Sequence, residues 1–275
     1  MNRKHLTSLT NLQKTLLITL HGKALESEFK NSILNDHFAA NVSERIEFDF
    51  SQFKLSRNAI VALAIRAKAL DLWTEQFLTE NAQANVVHVG CGLDSRHFRV
   101  KPGSGVSWWE VDYPEVIELR KKVYDEQSRC HLLGTDILES EWLSAIPPDV
   151  PTLIVAEGVL PYFAEESATR FLTDIVSHFT SGQLAFDAYN RWGVLWLNQL
   201  PVMRQTQEKL HWVVDDPAQL EVAIPGLRLK VENTDGLPEF TKRAGFWSRT
   251  AFRLSRGISP MRRMGQLLLF SFGSL

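Results

Sequence analysis

The residues best placed to do chemistry lie in VVHVGCGLDSRHFRV, Val86 to Val100. β-favouring residues run straight into Gly90-Cys91-Gly92, and Asp94, Arg96 and Arg99 follow at once. Glycines at a strand end let the backbone turn tightly and approach a ligand without Cβ interference. Such a corner holds a nucleotide, holds another adenosine-bearing cofactor, or only turns the chain. Asp112 ends the next strand about 20 residues on, where a carboxylate accepts from ribose hydroxyls. A dinucleotide fingerprint wants a third glycine at position 95, but Ser95 stands there, and Asp94 beside it would repel a diphosphate. An acid near the loop suits a ligand that brings a cation, an α-ammonium or a sulfonium, so the pattern leans from NAD towards S-adenosylmethionine. The competing reading of Asp94 is a helix cap.

Two more carboxylates sit at strand ends: Asp136 in GTDIL, with Ile137 beside it, and Glu157 in AEGVLPYF. Asp136 could accept from an adenine amino group while Ile137 packs on the ring. In an open α/β sheet the crevice lies outside the carboxyl ends of the strands, and Asp112, Asp136 and Glu157 would share that edge. Tyr162, Tyr189, Asn190 and Arg191 also follow strand ends and could face a second substrate; Arg191 would attract a carboxylate. His97 and His211 are the histidines nearest this chemistry, and neither pattern identifies a catalytic base. Cys91 and Cys130 are far apart, in no metal-like spacing, so no metal site is expected.

The elements that must position these groups alternate. Residues 5–34 read as a helix with leucines at helical spacing, and Ser56 caps a second helix through Thr79. Strands follow at Val86–Val89, Val106–Val111, Cys130–Leu133, Thr152–Ala156 and Leu184–Ala188, with helices from Pro114 to Gln127 and Glu165 to Thr180. Late strands are expected at Leu227–Val231 and Gly265–Phe272. This rhythm predicts an α/β fold with a doubly wound, mostly parallel sheet. Residues 190–226, with Trp192, Trp196 and Trp212, break it and read as an inserted lid.

At 275 residues, 44% hydrophobic and 23% charged, the chain can bury a full core as one large domain. A net charge of −2 gives no global reason to expect nucleic acid or membrane as partner. Two cysteines, no secretory h-region and no membrane-length apolar run fit a cytoplasmic protein.

Together, LTNLQKTLLITLHGKALES, SILND, IEFDFSQF, AIRAKALD, VVHVGCGLDSRHFRV, WWEVDYPEVIELRKK and AEGVLPYF resemble the leucine carboxyl methyltransferase family, closest to its polyketide-type O-methyltransferase branch. The resemblance runs over roughly residues 9 to 190. It implies a class I methyltransferase fold, Rossmann-like, with seven strands and the last antiparallel. N-terminal helices over residues 1–80 would cap a methyltransferase domain at 81–275. It also implies S-adenosylmethionine as methyl donor and S-adenosylhomocysteine as product. Carried over by position, Arg66 would pair with the methionine carboxylate, and Gly90 and Gly92 would line the methionine part. Asp112 would take the ribose, Asp136 with Ile137 the adenine, and Glu157 would sit near the ammonium. Lys23 either reaches the same carboxylate or is a solvated helix lysine.

Methyl transfer from a sulfonium needs alignment and desolvation more than acid–base help. A carboxylate acceptor needs no base, whereas a phenol or alcohol gains from one. The expectation is methylation of a small-molecule carboxylate of secondary metabolism. The alternatives are a hydroxyl acceptor, a protein C-terminal carboxylate, or a non-catalytic module that binds an adenosyl ligand. Residues 240–263 hold seven Lys or Arg and no acid. They are either a dock for an acidic carrier protein, membrane or RNA, or a solvated basic helix with its aromatics in the core. A carrier protein and a second copy of the chain are the further partners considered.

Overall fold

The structure, a computed structural model, describes residues 4–5, 11–235 and 259–273. Seven strands form one sheet: β1 (Ala84–Val89), β2 (Val106–Asp112), β3 (Cys130–Gly134), β4 (Thr152–Ala156), β5 (Ser181–Ala188), β6 (Arg228–Asn233) and β7 (Gln266–Gly273). Their order is β3-β2-β1-β4-β5-β7-β6. The first five are parallel, and β7 runs antiparallel to both β5 and β6. The expected α/β doubly wound sheet with an antiparallel last strand is what the chain forms. Strand order reverses between β1 and β4, and such a reversal opens a crevice at the strands' carboxyl ends.

Strand residues point alternately to two covered faces. Val87, Val89, Ile154 and Phe186 pack with Phe171, Leu172 and Ile175 of a helix at Glu165–His178. Val86, Leu153, Val155 and Ala185 pack with Leu70 and Phe77 of the helix Arg57–Glu80. Full burial of each Val, Leu, Ile or Phe among these contributes about 1.5–3 kcal/mol. Numbered in order, the helices are α1 (Asn11–Ser27), α2 (His37–Arg45), α3 (Arg57–Glu80), α4 (Arg96–Val100), α5 (Pro114–Val123), α6 (Glu165–His178), α7 (Arg191–Leu197), α8 (Pro201–Thr206), α9 (Ala218–Ala223) and α10 (Ser259–Arg262).

Three departures from the sequence pattern have local causes. The first helix stops at Ser27 rather than residue 34, because buried Glu26 accepts from the Ile33 amide (2.5 Å), the Leu34 amide (3.2 Å) and the Ser32 hydroxyl (2.7 Å). That carboxylate folds the chain back over α3. Helix α5 ends at Val123 rather than Gln127, where Tyr124 turns extended and donates its hydroxyl to the Leu93 carbonyl (2.8 Å). The 190–226 segment has two parts. Its outer part is α7 and α8, with α8 packed against α1. Its return arm joins the core: the His211 and Trp212 amides donate to the Pro161 carbonyl, and the Val214 amide to that of Tyr189. Trp212 is buried and stacks on Phe186, so it belongs to the core and not to a lid.

Ser56 caps α3 by accepting from the Ala59 amide (3.2 Å). Ser56→Ala is expected to lower unfolding free energy by about 1 kcal/mol in urea titration, and Ser56→Asp to restore it.

Candidate functional site

The glycine corner has the strained geometry that its composition allows. Gly90 and Gly92 adopt φ of 60° and 50°, values costly for side chains with a Cβ. A Cβ on Gly90 would run into Val159, and one on Gly92 would lie 3.2 Å from Leu16 of α1. The corner is pinned from two sides. Asp112 accepts from the Gly92 amide with one oxygen and the Tyr113 amide with the other, both at 2.7 Å. From beneath, Arg120 donates to the Gly92 carbonyl (3.1 Å) and to Glu110 (2.8 Å), which also contacts His88 (3.0 Å). Burial would raise the Glu110 carboxyl, but Arg120 and then His88 outweigh it and hold it at about 2. Burial pushes Asp112 up, and its two amide donors only partly offset that.

Above the corner lies a buried ion cluster. Glu157 pairs with Lys23 (3.2 Å), Arg66 (3.2 Å) and Arg96. Asp94 pairs with Lys23 (2.8 Å), Arg96 (3.3 Å) and Arg99 (2.7 Å). Arg96 and Arg99 also meet Asp71 (3.1 and 2.7 Å), Arg99 meets Asp36 (2.8 Å), and Arg66 meets Asp187 (3.0 Å). Four cations, Lys23, Arg66, Arg96 and Arg99, thus face five carboxylates, Asp36, Asp71, Asp94, Glu157 and Asp187. Burial works against the ionised carboxyls of Glu157 and Asp94. For Glu157 the neighbours Lys23, Arg66 and Arg96 win and hold it at about 2. For Asp94, Arg99, Lys23 and Arg96 hold it well below the usual carboxylate range. Arg66 stays charged because Asp187 and Glu157 outweigh its burial.

This arrangement sorts the residues read from sequence. Lys23, Arg66 and Glu157 meet in one cluster, with Gly90, Gly92 and Asp112 below it. Lys23 is buried, which rules out the solvated-lysine reading. Asp94 is not a helix cap: Ser95 occupies that position, and Asp94 is neutralised by three cations. Asp136 closes a local turn through the Leu138 amide (3.0 Å), and Ile137 lies in the core beside Trp142. Tyr189 donates to Asp187 (3.0 Å) and Tyr162 is partly buried. Asn190 caps α7 through the Gly193 amide (2.9 Å). Arg191 is 68% exposed and tied to Asp215 at 2.6 Å. His97 packs edge-on to Trp108, which burial-lowered basicity accompanies, and His211 is exposed. Most of the basic segment, 240–258, lies outside the described residues. Its end is already paired, since Arg263 meets Glu232 (2.6 Å) and Asp216 (3.3 Å).

Sequence reading missed Arg96, Arg99, Asp71, Asp36 and Asp187. Asp187 carried a usable signal: it is an acid near the end of the apolar strand β5, the same feature that marks Asp112 and Glu157. Among the described residues no group of three or more His, Cys, Asp or Glu could hold a metal ion.

A sequence profile described as Leucine carboxyl methyltransferase matches residues 17–176. The chain belongs to the leucine carboxyl methyltransferase family. It is 35% identical to the tetracenomycin polyketide synthesis O-methyltransferase TcmP of Streptomyces glaucescens, over 81% of this chain and 82% of that one. It is 34% identical to the S-adenosyl-L-methionine-dependent methyltransferase dpfgK of Gibberella zeae, with the same coverages of 81% and 82%. A crystal structure of a provisionally assigned methyltransferase from Thermobifida fusca superimposes with a TM-score of 0.55, over 92% of this chain and 94% of that one. At 12% identity that likeness speaks to the fold alone.

Carboxyls held low in the fold contribute stability that is present above their unfolded pKa and lost as pH falls through the folded one. With Glu157 and Glu110 at about 2 and Asp94 lowered too, acid unfolding should steepen between about pH 4.5 and 2. Glu157→Gln should lose most of its own share of that slope in urea titrations across this range. An unchanged slope would contradict the assignment.

Proposed function

We propose that the protein is an S-adenosylmethionine-dependent O-methyltransferase whose acceptor is a carboxylate of a small molecule of secondary metabolism. The observation that carries the acceptor class is that the four carboxylates at the carboxyl edge of the sheet are all engaged by the chain's own donors. Glu157 and Asp187 are held by cations, Asp112 by two amides and Asp136 by one. Burial keeps both tyrosines protonated at neutral pH, pushing Tyr162 up to about 12 and Tyr189 further. A carboxylate acceptor is ionised already and asks for no base. TcmP is named as a polyketide O-methyltransferase, which favours a natural-product acid over a protein terminus.

The residues fit the cofactor. Gly90 and Gly92 expose backbone at a positive-φ corner. Arg66 directs Nε and Nη1 into bonds with Glu157 and Asp187, and Nη2 makes no hydrogen bond to the described residues. The cluster carries one more carboxylate than cations. A ligand bringing an ammonium and a sulfonium suits that excess, whereas a diphosphate would add charge of the wrong sign.

In this reading Arg66, assisted by Lys23, binds the methionine carboxylate, and Gly90 and Gly92 bound the methionine part. Glu157 orients the ammonium, Asp112 the ribose, and Asp136 with Ile137 the adenine. S-adenosylmethionine supplies, when bound, a methyl group already activated by its sulfonium. The chain's residues align the acceptor oxygen and exclude water. Residues 1–80 act as a helical cap on 81–275, with 190–226 as the acceptor-side insertion near Tyr162, Tyr189, Asn190 and Arg191. On α7, Trp192, Leu195 and Trp196 are 54%, 58% and 57% exposed at i, i+3 and i+4 spacing, an apolar stripe suited to a flat acceptor. No described helix is long and apolar enough to cross a membrane, and a cytoplasmic site of action is part of the proposal.

Calorimetric titration tests the cofactor: S-adenosylmethionine and S-adenosylhomocysteine are expected to bind and NAD is not. Failure of both adenosyl ligands would overturn the reading. For the acceptor, labelled methyl groups transferred to product should be released as methanol by mild alkali, as esters are; alkali-stable product would indicate an ether. Trp196→Ala should raise acceptor KM while leaving S-adenosylhomocysteine affinity unchanged.

A further inference from the structure

Asp187 lies near the end of β5 with its carboxylate fully enclosed, and its two oxygens join three segments. One accepts from the Gly158 amide (2.5 Å). The other accepts from Arg66 Nη1 (3.0 Å) and from the Tyr189 hydroxyl (3.0 Å). Arg66 Nε is meanwhile fixed on Glu157 (3.2 Å). A planar guanidinium held at two of its nitrogens has no free rotation. The remaining nitrogen, Nη2, lies along Gly158, whose backbone is in the left-handed region at φ 67°. A Cβ on Gly158 would stand 3.2 Å from that nitrogen. The glycine therefore leaves open the one edge of Arg66 that the two carboxylates do not occupy.

We infer that Asp187 is a positioning residue for cofactor binding, which aims Nη2 of Arg66 at the amino-acid carboxylate of an adenosyl ligand and holds the Gly158 turn clear of that edge. The inference rests on Arg66 being the carboxylate clamp of the proposed function. It goes further by explaining why the clamp needs a counter-ion on its far side and why glycine follows Glu157. A carboxylate is required because all three partners are donors. An asparagine has one acceptor oxygen and one donor amide. If its oxygen faces Gly158, its amide opposes Arg66; if the oxygen faces Arg66, the amide opposes the Gly158 N–H. Either orientation displaces one arm of the arrangement.

A purely structural role predicts something different. If Asp187 only neutralised a buried arginine, its loss would loosen the fold and weaken every ligand of the crevice alike. The test compares two ligands by calorimetry on purified Asp187→Asn. S-adenosylhomocysteine has the amino-acid carboxylate; 5′-methylthioadenosine keeps the adenosine and thioether but lacks the amino-acid portion. S-adenosylhomocysteine should bind roughly 10–100-fold more weakly than to the unaltered protein, the scale of a lost charge-assisted hydrogen bond. Affinity for 5′-methylthioadenosine should be unchanged. Gly158→Ala, which leaves every charge in place, should give the same split by crowding Nη2, and it serves where Asp187→Asn does not fold.

Unchanged S-adenosylhomocysteine affinity, or equal weakening of both ligands, would overturn the inference. Binding of neither ligand by the unaltered protein would instead overturn the proposed cofactor, and the role of Asp187 with it. The two failures are therefore distinguishable.

Discussion

Ionised side chains cannot be left alone in a protein interior, and that constraint organises this molecule around Glu157 and Asp94. Burying a charge costs several kcal/mol even after relaxation, and removing one member of a buried pair typically costs about 3–5 kcal/mol. Such clusters are therefore weak sources of net stability but strong constraints on arrangement. Here Lys23 comes from α1, Arg66 and Asp71 from α3, Arg96 and Arg99 from α4, and Asp187 from β5. Those segments must converge for the whole set of charges to be satisfied. Asp36 extends the same logic to α2, which it caps through the Ala39 amide while receiving Arg99 and the Ser95 hydroxyl. The N-terminal helices are thus tied to the carboxyl edge of the sheet by ions and by the packing of Leu16, Leu17 and Leu20 with Leu93.

The same convergence builds the edge at which binding of the cofactor is proposed. The glycine corner is held by Arg120, itself paired with Glu110, and by Asp112, so the chain's own bonds fix its backbone. Preorganisation of this kind lowers the ordering cost of binding. The acceptor side is built differently. Helix α7 exposes an apolar stripe, while the return arm through Trp212 and Val214 is anchored on the Pro161 and Tyr189 carbonyls.

The fold was legible because its cues were periodic. Alternating apolar strands, Ser56 before α3 and Pro114 opening α5 each act locally, and each held in place. The carboxyl edge was legible in part: acids at strand ends marked Asp112 and Glu157, which the fold places at the glycine corner and in the ion cluster, and Asp136, which closes a local turn. What sequence hid was pairing across distance. Asp94 read alone looked like a negative charge facing a ligand, yet Lys23, 71 residues earlier, and Arg99 neutralise it. Lys23 read alone left a solvated helix lysine as an open alternative, whereas it is buried between Asp94 and Glu157. Arg191 read alone looked like an acceptor clamp, whereas Asp215 holds it at the surface. Arg96 and Arg99 sat inside the very stretch that drew attention, but one turn of helix does not reveal which acids face it.

The most direct test of the account is a crystal structure with S-adenosylhomocysteine. It should place the amino-acid carboxylate against Nη2 of Arg66, with the Glu157 and Asp187 bonds of that side chain retained. The adenosine should run from the glycine corner past Asp112 towards Asp136. A ligand elsewhere on the molecule, or one at this edge with its amino-acid end turned away from Arg66, would contradict the account.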